Sequence, residues 1–408
     1  MINSIFNFIT SLGVFLLGGI YFVYDDGYRY GGILLALVGL ASMRQWQGDK
    51  RGLQVLFIAL AFPMVSFLGV MWHEGWGSRA LMYASVILVL PAYQAVRIWQ
   101  PEMKWLFQGA AAGALAACLW AFHDVYVLGH ERAQGLLNAI KFGNMALFFG
   151  LVCLLRASRS WHDRERWHAV SYVMFAALGL LASLLSGTRG GWIALPGLIV
   201  LLAIWAWSYF SASRIVFSVS AFLVMFVILA FANPWGVTDR ILLAWHEIKT
   251  YKPDNLSSVG QRINMWRLAW DMIAERPWLG HGDLAFGDRT QNWQHVIGMT
   301  FEGGFKHPHN DFLAAWVKYG VGAPLALLIT LIAPLAWFWR QSRRLKVREV
   351  PLVGVFLCFC FLIFGQTQTL LGSKSILITY FVWLAVLLAF VDRSISHDDQ
   401  RPSNRKRM

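Results

Sequence analysis

Two short stretches of this chain carry side chains that could do chemistry together. One is Ser186-Gly187-Thr188-Arg189-Gly190-Gly191-Trp192, the whole link between two apolar runs; the other is His307-Pro308-His309-Asn310-Asp311, where a new apolar run begins. Arg189 brings a planar guanidinium that stays charged and grips phosphate oxygens in pairs. Gly190 and Gly191, with Gly187 before them, let a large anionic group approach the backbone. His309 brings an imidazole that is neutral near pH 7 and can take a proton from a sugar hydroxyl, which a positioned base turns into roughly 10²–10⁴-fold in rate. Asn310 or Asp311 can cap the helix that starts there. A fixed cation and a base at the edge of a bilayer suit transfer from a lipid-linked donor. The bland alternatives are an arginine snorkelling to lipid headgroups and a histidine with a structural role.

Further candidates are weaker. Arg262 and Arg267 lie five residues apart on one helical stretch and could meet a phosphate, or could line a solvated helix face. Lys374, in Gly372-Ser373-Lys374, stands at the start of the last apolar run. Asp25-Asp26 follows the first run and reads as a polar turn, although some membrane glycosyltransferases use an acidic residue there. His307-x-His309 could be half of a metal site completed by His281, Asp283 or Glu302, but no second strong ligand pair sits at metal spacing. No metal and no cofactor are therefore expected. The chain has no GxxxxGKS/T phosphate loop and no Rossmann glycine pattern, so the energy must come from an activated substrate such as a lipid diphosphate.

The elements that must position these groups are membrane helices. The chain has 408 residues, 57% of them hydrophobic and only 14% charged. A soluble domain carries nearer a quarter charged. With about 20 apolar residues needed per span, runs of that kind fall at 5–24, 30–46, 53–72, 79–98, 103–123, 137–156, 168–186, 191–209, 214–232, 311–339, 350–367 and 375–391. The fold class expected is an all-α polytopic membrane protein of about twelve transmembrane helices. Lys141 interrupts the start of the sixth run, and Gly320-Val321-Gly322 allows the tenth to break in two. The first run lacks a basic leader and a small-residue cleavage site, so it is expected to be a retained span.

Nine runs thus occupy 1–232 and three occupy 311–391, with a polar island over 233–310 and a polar tail over 392–408. Lys and Arg crowd the short links on one side, as in Arg156, Arg159, Arg164 and Arg166 or Arg340, Arg343 and Arg344. That side should be cytoplasmic and should hold both termini, which leaves the island outside as one large periplasmic loop. Within it, 261–275 reads as an amphipathic helix with Ile263, Trp266, Trp270 and Ile273 on one face, suited to lie on the membrane surface. The net charge of +13 is spread over short inter-span links, which argues for topology and against nucleic-acid binding. A transporter would place charged or broken segments at mid-membrane depth. Here the polar residues gather at the outer edge. Cys118, Cys153, Cys358 and Cys360 all fall in apolar runs and read as core residues.

At these residues the sequence resembles the O-antigen ligase family. The resemblance rests on Ser186–Trp192, on Gln261-Arg262 with Met265-Trp266 and Arg276-Pro277-Trp278-Leu279-Gly280, and on His309-Asn310 followed after nine residues by Gly320-Val321-Gly322. It implies a GT-C-like membrane fold in the Gram-negative inner membrane, acting at the periplasmic face without a metal. It implies transfer of a glycan from undecaprenyl diphosphate to a sugar hydroxyl of lipid A–core oligosaccharide, with inversion. His309 would be the base, supported by Asn310. Arg189 and Arg262 would hold the diphosphate, with Arg267 and Lys374 as further candidates and Gly190 and Gly191 lining the approach. O-antigen polymerases and protein O-oligosaccharyltransferases look similar, and these motifs do not separate them.

Overall fold

The computed structural model describes residues 2–46, 48, 51–207, 211, 213, 242, 243, 245–247, 249, 250, 258–297, 305–345 and 348–399. Every regular element among them is helical. In chain order these are α1 (Ile2–Gly19), α2 (Gly27–Ala41), α3 (Arg51–Ala59), α4 (Ala61–His73), α5 (Ser78–Ala84), α6 (Val89–Trp99), α7 (Lys104–Phe122), α8 (Ala139–His162), α9 (Arg166–Leu185), α10 (Arg189–Trp192) and α11 (Ala194–Trp207). Within the polar island lie α12 (Ser258–Glu275) and α13 (Ala285–Ile297), and after it come α14 (Asp311–Tyr319), α15 (Gly322–Arg344), α16 (Glu349–Phe364) and α17 (Lys374–Asp399). Among the described residues seven helical stretches are long and apolar enough to cross a membrane, and four shorter apolar helices accompany them. The ninth run expected from sequence, 214–232, lies outside the described residues, as does the tail beyond 399.

Breaks in the helices have local causes. Pro63 has no N–H to offer the carbonyl of Ala59. The hydroxyl of Thr330 takes that place, donating to Ala59 O at 2.7 Å and accepting from Phe62 N at 3.1 Å. The span over 51–73 therefore divides into α3 and α4 without leaving a buried carbonyl bare. The tenth run divides at Gly320, whose φ of 75° only glycine adopts easily and whose Cβ, if present, would sit 1.9 Å from the carbonyl of Trp278.

α17 is the pillar of the bundle. Its apolar window is 89% buried, and Trp383 packs edge-on against Phe148 of α8 with ring centroids 5.2 Å apart. At one end of the bundle Asp392 accepts from Gly52 N and Tyr93 Oη, and Arg393 donates to Pro101 O. The opposite end gathers the links 123–138, 186–191, 276–283, 305–311 and 365–373, and both stretches singled out in the sequence lie there.

α12 differs from its expected face. The residues it buries are Asn264, Met265, Leu268, Ala269, Met272 and Ile273, against Phe286 of α13 and Val317 of α14. Trp270 stays 53% exposed. Met265, Leu268, Ala269 and Met272 recur at i, i+3, i+4 and i+7, and Ile263, Trp266, Trp270 and Ile273 at i, i+3, i+7 and i+10; both sets follow the helical period, which cannot rank two stripes on one helix. The helix rests on α14, where Trp270 packs edge-on against Trp316 with ring centroids 5.7 Å apart, while Trp266 reaches the neighbouring loop at Pro308.

Candidate active site

The site is built from the start of α14. Asn310 caps this helix, its Oδ1 accepting from Phe312 N at 2.9 Å and Leu313 N at 3.1 Å. The chain enters the cap through His309, a non-glycine residue at φ 52°. Such a conformation costs of order 1–2 kcal/mol and persists only where the surroundings enforce it. Three contacts do so. Trp266 of α12 donates its indole N–H to Pro308 O at 2.9 Å. Asp311 donates its N–H to Gly365 O at 2.7 Å. The His309 Nδ1 is hydrogen-bonded to Gln368 Oε1.

The segment Gly365–Gly372, between α16 and α17, is held by Asp311. This carboxylate is 4% exposed and accepts from Leu370 N at 2.9 Å and from Leu371 N at 3.1 Å. Asp311 thus fixes the loop that carries Gln368 to His309. The other side of that loop meets the Arg189 turn: a Cβ on Gly190 would lie 2.0 Å from Thr367 Oγ1. The turn is pinned in its own right. Thr188 Oγ1 donates to Ala139 O at 2.8 Å, and Arg132 Nε donates to Ser186 O at 2.9 Å. A Cβ on Gly191 would lie 2.6 Å from Asn144 Oδ1 of α8. Gly190 and Gly191 thus also serve close packing against Thr367 and Asn144. Arg189 opens α10 beside them; its side chain lies outside the described residues.

The electrostatics favour a base. Burial lowers the His309 pKa from its ordinary 6.5, the bond to Gln368 partly offsets this, and the nearby charge of Arg262 lowers it further. With the Nδ1 proton donated to Gln368, the lone pair stands on Nε2. His307 packs edge-on against His309 with centroids 4.5 Å apart. Burial first, then His309, Lys318 and Lys141, push His307 down to about 3. Both imidazoles are therefore neutral, and His309 can accept a proton.

The other candidates divide. Arg262 is half-buried and close enough to act on His309. Arg267 is exposed, five residues on and about 140° further round the helix. Lys374 is exposed at the first residue of α17. Asp26 pairs with Arg29 at 2.6 Å, so Asp25-Asp26 is a local polar turn. Of the conceivable metal ligands, His281 Nε2 bonds Met272 O at 2.7 Å, Asp283 is ion-paired and Glu302 lies outside the described residues. Among the described residues no three His, Cys, Asp or Glu side chains gather as a metal site.

Arg276-Pro277-Trp278-Leu279-Gly280 proves to be a strap laid across the α14–α15 junction. Pro277 O accepts from Trp316 Nε1 at 3.0 Å and from Val321 N at 2.9 Å. Gly282 N donates to Lys318 O at 2.9 Å. The strap ends on Asp283, which is 4% exposed and pairs with Lys318 at 2.6 Å and Arg79 at 2.9 Å. Gln368, Thr367 and the clamp role of Asp311 escaped the sequence reading. The one available signal was the polar run Gly365-Gln366-Thr367-Gln368-Thr369 between two apolar runs.

Fold and site together define a polytopic helical membrane protein that presents a neutral imidazole beside the Arg262 charge at one end of its bundle. The sequence model of the O-antigen ligase family matches residues 173–325, the stretch that holds Arg189, Arg262, His309, Asn310 and the break at Gly320. Over those residues the chain is similar to the O-antigen ligase family, a likeness that points to a glycosyltransferase-like enzyme handling lipid-linked glycan. A Haemophilus influenzae protein named only as an uncharacterized protein is 22% identical over 382 residues, covering 90% of this chain and 94% of that one.

Proposed function

We propose that the chain transfers O-antigen glycan from undecaprenyl diphosphate to a sugar hydroxyl of lipid A–core oligosaccharide, completing lipopolysaccharide. The observation that carries this reading is His309: an imidazole held by Gln368 through Nδ1, open at Nε2, kept neutral, and set beside Arg262 within the stretch that matches the O-antigen ligase family.

The chemistry follows from what each group offers. The acceptor oxygen attacks the anomeric carbon while its proton passes to His309 Nε2. The bond from that carbon to the diphosphate breaks, and its electron pair leaves with the diphosphate. Attack opposite the leaving group inverts the anomeric centre. Arg262 and Arg189 would meet the charge growing on the diphosphate, and preorganised charge of that kind is usually the largest catalytic contribution. Arg267 and Lys374 would serve only if the donor extends toward the exposed faces they occupy. The residues present need no metal for these steps.

The excess of Lys and Arg in links such as 156–166 and 340–348 supports cytoplasmic termini in the Gram-negative inner membrane, with a periplasmic loop over 233–310 and the His309 end facing the periplasm. A GT-C-like architecture fits that arrangement. Transfer from undecaprenyl-diphosphate-linked glycan to lipid A–core, lost in His309→Ala with the protein still folded, is the result expected. Extension of the lipid-linked glycan itself, or glycosylation of a protein, would replace the ligase reading with the polymerase or protein O-oligosaccharyltransferase reading.

A further inference from the structure

On the first turns of α8 and at His307, three polar groups lack hydrogen-bond or ion-pair partners among the described residues. Lys141 stands in the first turn of α8, half-buried, and among the described residues its ammonium makes no ion pair or hydrogen bond. Its backbone N–H, by contrast, is taken by the Asn138 cap at 2.9 Å. Asn144 lies one helical turn on, on the same face as Lys141. It is 1% exposed, yet neither its Oδ1 nor its Nδ2 has a hydrogen-bond partner among the described residues. Its Oδ1 faces Gly191, where an added Cβ would come within 2.6 Å of it. The Nδ1 of His307 is also buried and finds no partner beyond its own residue. Lys141 is near enough to His307 to act on its protonation.

Buried polar groups are nearly always paired, so a cluster of unpaired ones marks a place that a polar ligand completes. These groups are the Lys141 ammonium in the first turn of a 24-residue helix whose N-terminal dipole favours negative charge, the Asn144 amide one turn on, and the neutral imidazole of His307. They adjoin the Arg189 turn through Gly191 and the base through His307.

We propose that Lys141 and Asn144 form a phosphate-oxygen subsite that takes the diphosphate of the lipid-linked donor from the α8 side. This rests on the donor assigned under Proposed function. Lys141 supplies the charge and Asn144 donates from Nδ2. Arg262, on α12 and close enough to act on His309, would supply a second charge to the leaving group. Neither Lys141 nor Asn144 lies in the stretch that matches the ligase family.

The test is binding, which needs no turnover. The full chain in phosphatidylcholine nanodiscs is titrated with undecaprenyl diphosphate, with undecaprenyl monophosphate in parallel. One charge-assisted hydrogen bond is worth about tenfold or more in affinity. Lys141→Met should weaken undecaprenyl diphosphate binding by at least that factor, Lys141→Arg should keep most of it, and Asn144→Leu should lose a smaller part. Thermal unfolding of each variant checks that the fold is kept. Wild-type affinity in a folded Lys141→Met would overturn the subsite. If Arg262→Ala weakens binding in that case, the donor reading survives alone. If the wild type does not bind the diphosphate, both fall. Repeating the titration with phosphatidylglycerol in the nanodiscs separates the sources: a Lys141 effect that appears only there would assign the group to lipid headgroups and overturn the proposal.

Discussion

Replacing Gln368 with glutamate should move the pH dependence of transfer in a defined direction. Gln368 meets His309 through Nδ1, so Gln368→Glu sets a carboxylate at hydrogen-bond distance from the base. Opposite unit charges about 4 Å apart attract by about 4 kcal/mol at an effective dielectric of about 20. At about 1.4 kcal/mol per pKa unit this is an upward shift of about 3 units. Partial exposure and salt reduce it to about 1–3 units. In the wild type, burial and Arg262 hold the His309 pKa below 6.5, so activity should persist into mildly acidic solution and fall only when the base is protonated. In Gln368→Glu that acid limb should move up by about 1–3 pH units, with the alkaline plateau largely kept. Gln368→Leu removes a contact that favours the charged form and should move the limb slightly the other way. The assay is kcat/KM for glycan transfer between about pH 4 and 9, a window that spans the imidazole range. An acid limb that stays in place in a folded Gln368→Glu would refute the assignment of His309 as the base and of Gln368 as the group that orients it.

Three further outcomes follow from the same geometry. Gly190→Ala drives a Cβ to 2.0 Å from Thr367 Oγ1, so it should displace the Gln368 loop and cut transfer, while the double change with Thr367→Gly should recover part of it. Asp283→Ala leaves Lys318, 7% exposed, without its 2.6 Å partner, and should lower unfolding stability by about 3–5 kcal/mol; adding Lys318→Met should restore part of this in a denaturation assay. His307 binds no proton in the fold until about pH 3, whereas the unfolded chain binds one below about 6.5. Stability should therefore fall as pH drops through that window, by at most about 1.4 kcal/mol per unit, and His307→Gln should flatten the slope in thermal unfolding.

What the sequence made legible was whatever depends on local pattern. Composition and run length predicted helices and a membrane. Gly320-Val321-Gly322 marked the break between α14 and α15, and Asn310 stood where a cap was needed. The buried face of α12 was misread because two apolar stripes share one period, and only α13 and α14 select between them. The partners of the base were out of reach for a different reason. Gln368 lies 59 positions from His309, and the contact between them depends on Asp311 clamping the loop from the far side. Asp283 entered only as a conceivable metal ligand, and its pairing with Lys318 went unread, since a buried pair leaves no periodic trace. Lys141 entered only as an interruption of a span, although its ammonium, without a partner among the described residues, stands one turn before the buried, unpartnered amide of Asn144 on α8.

The central claim is that this chain joins a lipid-linked glycan to lipid A–core with His309 as a metal-free base. Purified wild type and His309→Ala, each with undecaprenyl-diphosphate-linked glycan and lipid A–core, with and without EDTA, test it directly. The account predicts transfer that resists EDTA and is abolished by His309→Ala in a folded protein. Transfer that needs a metal, or that survives the loss of His309, would contradict it.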